Sequence, residues 1–285
     1  MELERLWDRV PPAGGAIRGG RLPAALRQAY DGDLVVPLRS DRPTVIANFV
    51  STLDGVVAFD RDGSSGGGEV SGFFDPDRFV MGLLRSMADV VLVGAGTVRA
   101  APTHEWTARR VYPSSSAAFA AWRRSIGITA PQPTTIVATA RGKLDAGHPG
   151  LSMADVPVII ATTESGAERL AHAGLAPNVR VEVAGSGGRV TAAGLVELAG
   201  SIGARLVLCE GGPHLAGDLV GAGLLDELFL TMAPQLAGRA AGAPRFGLLE
   251  GIAFPAAEAR WSTLRSVRRS DDHLFLRYRV DRTRI

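Results

Sequence analysis

The chain is poor in the groups that carry whole classes of chemistry. One cysteine, Cys209, stands in 285 residues, which excludes an internal disulfide framework and any zinc site built from several cysteines of one chain. Lysine is as scarce: Lys143 is the only one, and arginine supplies the rest of the 31 basic side chains against 29 acidic ones. A formal charge of +2 gives no electrostatic case for a nucleic-acid partner. No apolar run reaches the roughly 18 residues a membrane span needs, and no charged segment followed by an apolar one opens the chain. No membrane contact is therefore expected, and the expected location is cytoplasmic. The five histidines are scattered, so neither a Ser/His/Asp arrangement nor a metal-ligand cluster stands out.

What is abundant is glycine placed after apolar runs. The stretch Asp89-Val90-Val91-Leu92-Val93-Gly94-Ala95-Gly96-Thr97-Val98-Arg99 reads as a wholly apolar strand, a Gly-x-Gly-Thr turn and a helix start. Backbone amides exposed at such a turn form a seat for a phosphate. The third glycine of the dinucleotide fingerprint is missing, and no Asp or Glu stands near Ser114 to Ser116, about 20 residues on, to hold a ribose 2′-hydroxyl. Either the fold is not a Rossmann fold or the cofactor's 2′ position is not a free hydroxyl. The same strand, glycine turn and helix recur at Arg205-Leu206-Val207-Leu208-Cys209-Glu210-Gly211-Gly212-Pro213-His214-Leu215. Two such turns at carboxyl ends of parallel strands would adjoin at a crevice. Glu210 would sit at its mouth, accepting bonds from loop amides or meeting a substrate.

Elsewhere, Thr44 to Ser51 is a β-branched, apolar strand interrupted by Asn48, an amide that needs partners or points into a cleft. Asp54-Gly55 reads as a tight turn, and Asp60 to Gly72 as a Gly/Ser loop serving as lid or linker. Asp75, as N-cap, and Pro76 open a helix with a stripe of Phe79, Val80, Leu83, Leu84 and Met87, which Arg85 misses by one position. Ala100 to Gln132 reads as a basic, partly helical surface excursion. Strands then alternate with helices, which implies a largely parallel sheet covered on both faces. The last strand, His273 to Val280, alternates and suits an antiparallel edge or a dimer contact. Residues 1–43 form an extension with one helix, and 44–281 the main domain.

In this order the motifs resemble the riboflavin-biosynthesis pyrimidine reductases, the dihydrofolate-reductase-like domain that in many bacteria is the C-terminal half of a bifunctional deaminase-reductase. The matching pieces are Ser51-Thr52-Leu53-Asp54-Gly55, the helix ending Leu83-Leu84-Arg85, Val93 to Val98, Glu210-Gly211-Gly212-Pro213, Leu224 to Leu228 and Ala233-Pro234. The resemblance implies an α/β fold, a mostly parallel mixed sheet with helices on both faces, with NADPH as hydride donor and a homodimer. It implies reduction of the ribosyl group of 5-amino-6-(5-phosphoribosylamino)uracil, a phosphorylated pyrimidine, to ribityl. A dihydrofolate-type reductase and a non-catalytic nucleotide-binding protein are the alternatives.

By position, NADPH would be held by Val50, by Gly94, Ala95, Gly96, Thr97 and Val98, and by Gly211, Gly212, Pro213, His214 and Leu215. Asn48, Ser65, Arg85 and Glu210 would face the substrate, with Arg85 at its sugar phosphate. Asp54 and Glu210 are the implied catalytic residues, Asp54 for proton supply. Two positions depart from the family: Ala101 stands where an acidic residue is usual, and Asn48 where lysine is frequent. One cysteine cannot furnish the deaminase's zinc site, so the resemblance covers the reductase alone.

Overall fold

The computed structural model describes residues 2–9, 14–59, 67–242 and 245–281. The N-terminal extension supplies strand β1 (Glu4–Asp8), the paired strands β2 (Ile17–Gly20) and β3 (Leu34–Pro37), and helix α1 (Ala24–Tyr30) between the last two. Next come β4 (Thr44–Ser51), α2 (Gly67–Ser71), α3 (Asp75–Met87), β5 (Val90–Gly94), α4 (Ala95–Ala100), α5 (Ala108–Val111) and α6 (Ser116–Ser125). The middle of the chain alternates: β6 (Thr134–Thr139), α7 (Pro149–Ser152), β7 (Val158–Thr162), α8 (Glu164–Leu170) and β8 (Val179–Val183). A short hairpin, β9 (Gly185–Ser186) and β10 (Arg189–Val190), leads to α9 (Ala192–Ser201), β11 (Leu206–Cys209), α10 (Pro213–Gly221), β12 (Glu227–Met232), β13 (Ser262–Ser270) and β14 (His273–Val280).

A ten-stranded sheet in the order β1-β13-β14-β12-β4-β11-β5-β6-β7-β8 organises the molecule. From β12 to β8 every neighbour runs parallel; β14, β13 and β1 pair antiparallel. This is the mostly parallel mixed sheet expected of the sequence. Successive side chains of a strand point to opposite faces, and the two cores follow that alternation. Ile46, Val91, Val93, Leu206 and Leu208 pack under α1, α3 and α6. Their neighbours Val45, Val90, Leu92, Val207 and Cys209 pack under α9 and α10. Strands buried on both faces need unbroken apolar runs, which explains the composition of β5 and β11.

Three expectations change. β14 is no edge: it lies between β12 and β13, and β13 is itself covered by β1. The extension thus completes the sheet, with Arg268 stacked on Tyr30 and bonded to Asp8. Nor is the segment after β5 a surface excursion. Trp106, Phe119 and Trp122 are fully buried against α3, so this stretch forms part of one core. Helix α3 begins one residue earlier than the N-cap reading, with Asp75 inside it and Phe74 flanking it without a side-chain cap.

Candidate functional site

Because β4, β5, β11 and β12 run parallel, their carboxyl ends open on one side of the sheet. Here the two glycine turns meet as the sequence implied. β11 sits beside β5, and the Glu210 amide donates to the Leu92 carbonyl at 3.0 Å. A Cβ built on Gly211 would come within 2.8 Å of Thr97 Oγ1, and Gly212 has φ +48°, a left-handed backbone that glycine tolerates best. Gly211 is thus required by the close approach of the two turns, and Gly212 by its backbone conformation. β5 runs straight into α4, and α10 starts at Pro213. The turns 94–97 and 211–214 thus lie side by side at the carboxyl ends of β5 and β11, the place where a parallel sheet can cradle a diphosphate. The side chains of Val98 and Leu215 turn away into the two cores, so only their backbone can serve there. His214 is exposed, with its ring edge-on to Phe246.

A free guanidinium at a sugar phosphate is not what the fold makes of Arg85. Its side chain is 1% exposed. Nε donates to both oxygens of Glu210 at 3.0 Å, and Nη2 donates to Oε2 at 2.6 Å. Nη1 donates to the carbonyls of Glu105 and Thr107, each at 3.1 Å, and Nη2 also meets His104 Nε2 at 2.9 Å. Burial, followed by the charge of Arg85, lowers the His104 pKa to about 3, so the neutral ring accepts that bond. The guanidinium is saturated. It clasps α3, the 104–107 loop and the end of β11, and it fixes the height of the Gly211 turn.

Glu210 is in register with Asn48, because Cys209 lies beside Ala47. Asn48 is 8% exposed, pairs across to Phe229, and lines a cavity of about 10 Å³ with Thr231, Arg268 and Arg277. Among the described residues its side-chain amide has no hydrogen-bond partner, in keeping with a side chain that points into a cleft. Val50, two residues on, packs with Val70 of α2 and Ala233. Ser65 lies outside the described residues.

Asp77 is the residue that sequence reading missed. It is buried on α3, facing Thr231 of β12 and Ser71 of α2. Desolvation pushes its carboxyl up to about 6 despite hydrogen bonds from Thr231 and Ser71, and the charge of Glu210 adds to the rise. A signal was present: Asp77 stands three residues before Val80 and seven before Leu84, on the apolar stripe itself.

Asp54, which the resemblance implies for proton supply, sits among hydrogen-bond donors. Oδ1 accepts from Thr52 Oγ1 at 2.6 Å and from the Ala237 amide at 3.0 Å, and Oδ2 accepts from the Gly238 amide at 2.6 Å. These bonds, the Thr52 hydroxyl first, hold the carboxyl well below the usual carboxylate range. A group kept ionised by donors is a poor source of protons. Arg239 donates to the carbonyls of Asp54 and Gly55, so the turn after β4 and the loop after β12 are latched together at the crevice mouth. Cys209, buried below Glu210, has its thiol pushed up to about 12 by desolvation and is inert.

The family model of the RibD C-terminal domain matches residues 43–274. The chain belongs to the RibD C-terminal domain family. Among solved structures, it is similar to a pyrimidine reductase-like protein from Corynebacterium diphtheriae, with 20% identity, TM-score 0.62 and coverage of 85% of this chain and 93% of that one. It is also similar to a diaminohydroxyphosphoribosylaminopyrimidine deaminase/5-amino-6-(5-phosphoribosylamino)uracil reductase from Thermotoga maritima. There the identity is 18%, the TM-score 0.60, and coverage 84% of this chain and 57% of that one. For RibD of Acinetobacter baumannii the values are 20%, 0.60, 85% and 59%. The chain thus spans a little over half the length of these two RibD-type proteins. No curated protein matches the chain in sequence. Such identities speak for the fold, and the family match spans the residues around the crevice. Among the described residues there is no cluster of metal-ligating side chains, and no helix is long and apolar enough to cross a membrane.

Proposed function

We propose that the protein is an NADPH-dependent reductase that converts the ribosyl group of 5-amino-6-(5-phosphoribosylamino)uracil to ribityl. The observation that carries this reading is the pair of glycine turns at adjoining strand ends, held level by the Arg85–Glu210 clasp. The donor set suits a dinucleotide: backbone amides for its diphosphate, and a tight glycine approach that any Cβ at Gly211 would obstruct. When bound, NADPH supplies the hydride, and the protein's part is to orient, to exclude water and to manage a proton.

Hydride addition to C1′ of the ring-opened imine leaves its nitrogen needing a proton. Asp77 is the group able to hold one near neutrality on the α3 face of the sheet. Asn48 shares that face, offering an amide donor and acceptor to a heterocycle. Glu210 is committed to Arg85, so its part is electrostatic and positional. Thr97 meets the Gly211 turn and shapes the cofactor seat.

One observation favours a second reading, a dihydrofolate-type reductase. A buried carboxyl beside a threonine hydroxyl presents donor and acceptor together, as an amino-substituted heterocycle requires. The deciding experiment follows NADPH oxidation with freshly deaminated pyrimidine substrate against dihydrofolate. Turnover with the pyrimidine supports the first reading and turnover with dihydrofolate the second. Tight NADPH binding without oxidation by either would sink both in favour of a non-catalytic nucleotide-binding protein.

A further inference from the structure

Helix α2, five residues long, closes over Asp77 and brings the Ser71 hydroxyl to its carboxyl. So short a helix has little stability of its own, because nucleation fixes more dihedrals than its few hydrogen bonds repay. Tertiary contacts must hold it. At its start a Cβ on Gly67 would come within 2.9 Å of Val50 Cγ1, and Val70 packs with Val50 and Ala233. At its end the chain turns through Gly72 and Phe73, at φ +67° and +56°, and the Phe73 amide donates to the Gly68 carbonyl at 2.7 Å. The Ser71 carbonyl is one of those that a helix end leaves without an intrahelical partner. It accepts from His273 Nε2 at 3.1 Å. A carbonyl can only accept, so Nε2 carries the proton.

His273 opens β14, and strand alternation aims it at this roof. It stands two residues before Phe275, which pairs directly with Thr231, the other hydroxyl partner of Asp77. Its ring stacks on Phe74, with centroids 3.9 Å apart and planes at 12°. The Phe74 carbonyl in turn accepts from the Asp77 amide at 3.1 Å. His273 thus grips both supports of Asp77: the backbone through Phe74, and the carboxyl through Ser71.

We propose that His273 is a positioning residue for the proton-exchanging carboxyl: it clamps α2 shut over Asp77 and keeps water away from it. The inference rests on the function proposed above, in which Asp77 manages the proton. Desolvation is the largest cause of the raised Asp77 pKa, and it depends on α2 staying down. Without the clamp, water reaches the carboxyl and its pKa falls toward the ordinary aspartate range. Losing the Ser71 hydrogen bond acts the other way but is the smaller influence, so hydration sets the sign. The charges that act on Asp77, Glu210 just after β11 and Arg78 on its own helix, stay where they are. From α2 and β12 it meets only the Ser71 and Thr231 hydroxyls, and from β14 the His273 ring stands one bond further out.

The test compares the wild type with His273→Phe, which keeps a ring on Phe74 but removes the donor, and with His273→Gln, which removes the ring but keeps an N–H for the Ser71 carbonyl. Both lack the imidazole charge. Infrared difference spectra across pH follow the Asp77 carboxyl, identified by its loss in Asp77→Asn, and NADPH oxidation is followed over the same range. The expected midpoint is about 6 in the wild type and in His273→Gln, and lower by about one pH unit in His273→Phe. Turnover of His273→Phe should match the wild type at the acid end and fall by about tenfold above the wild-type midpoint. An unchanged midpoint in His273→Phe, or a loss of turnover equal at every pH, overturns the assignment. So does an equal shift in His273→Gln, which traces it to the imidazole charge. Val70→Ala loosens the other hold on α2 and should lower the midpoint as well; no shift there also overturns the assignment, so the test survives a His273→Phe chain that fails to fold. A wild type that oxidises NADPH with neither the pyrimidine nor dihydrofolate overturns the functional reading alone, and the infrared titration still decides whether His273 keeps Asp77 dry.

Discussion

The crevice has two flanks that handle charge in opposite ways. On the β5/β11 flank, Arg85 and Glu210 are both buried and fully ion-paired, and the surrounding groups are backbone amides and carbonyls. On the β4/β12 flank, Asp77 is as deeply buried but has only hydroxyl partners, and the Asn48 side-chain amide has none among the described residues. A paired charge in a dry site fixes geometry and resists protonation change, whereas an unpaired carboxyl in the same dryness moves its pKa toward neutrality. On the function proposed above, the first flank would be a scaffold for a cofactor, and the second a place to exchange a proton.

The sharpest way to break this comparison is Arg85→Met. It leaves Glu210 buried without a partner and should cost about 3–5 kcal/mol of stability. Chemical denaturation should also show part of that loss recovered when Glu210→Met is added, since two apolar groups replace the pair. An unchanged unfolding midpoint in Arg85→Met would mean that the clasp is not what holds this flank.

Asp77→Asn probes the other flank. Turnover should fall by about a hundredfold, the size of a lost general acid. The wild-type rate should fall as pH rises through about 6, a limb that the variant lacks. Stability falls over the same interval. The raised carboxyl contributes stability that is fully present below its unfolded pKa near 3.8 and is lost as pH rises through about 6. Above that pH the Asn variant should be the more stable, by up to about 3 kcal/mol. Denaturation across pH checks the sign.

Asp54 separates the latch from the chemistry. If it positions the loop after β12, Asp54→Ala should lower kcat/KM by about tenfold through misplacement. Asp54→Asn, which retains one acceptor oxygen, should recover part of it, and proteolytic cutting near Gly238 should quicken in the alanine variant. A complete loss of hydride transfer in both variants would restore a direct role in proton supply. The smallest effect belongs to Cys209: its thiol should react with a disulfide reagent only after unfolding, and rapid labelling of the native protein would show that β11 opens.

Much of the scaffold was legible in the residues themselves. The apolar runs of β4, β5 and β11 and the glycines that follow them announce buried parallel strands ending in tight turns, because backbone conformation and burial leave a local imprint. The segment after β5 was misread because Arg109, Arg110 and the serines dominate its composition, whereas Trp106, Phe119 and Trp122 decide its packing. β14 looked like an edge because alternation says how one face is buried and nothing about which strand lies alongside. The covering strand β1 comes from the other end of the chain.

The sequence by itself determined the strand-turn-helix units, the pair of glycine turns and the family to which their order belongs. Only the tertiary structure decided which charges meet. Arg85 and Glu210 lie 125 residues apart, and Asp54 meets its amide partner Gly238 across 184. Asp77 becomes a neutral-range acid only because β12 and α2 close over it without bringing a cation. Desolvation and pairing depend on neighbours in space. For a side chain that folding removes from water, they govern whether it acts as a clasp, a latch or a proton store.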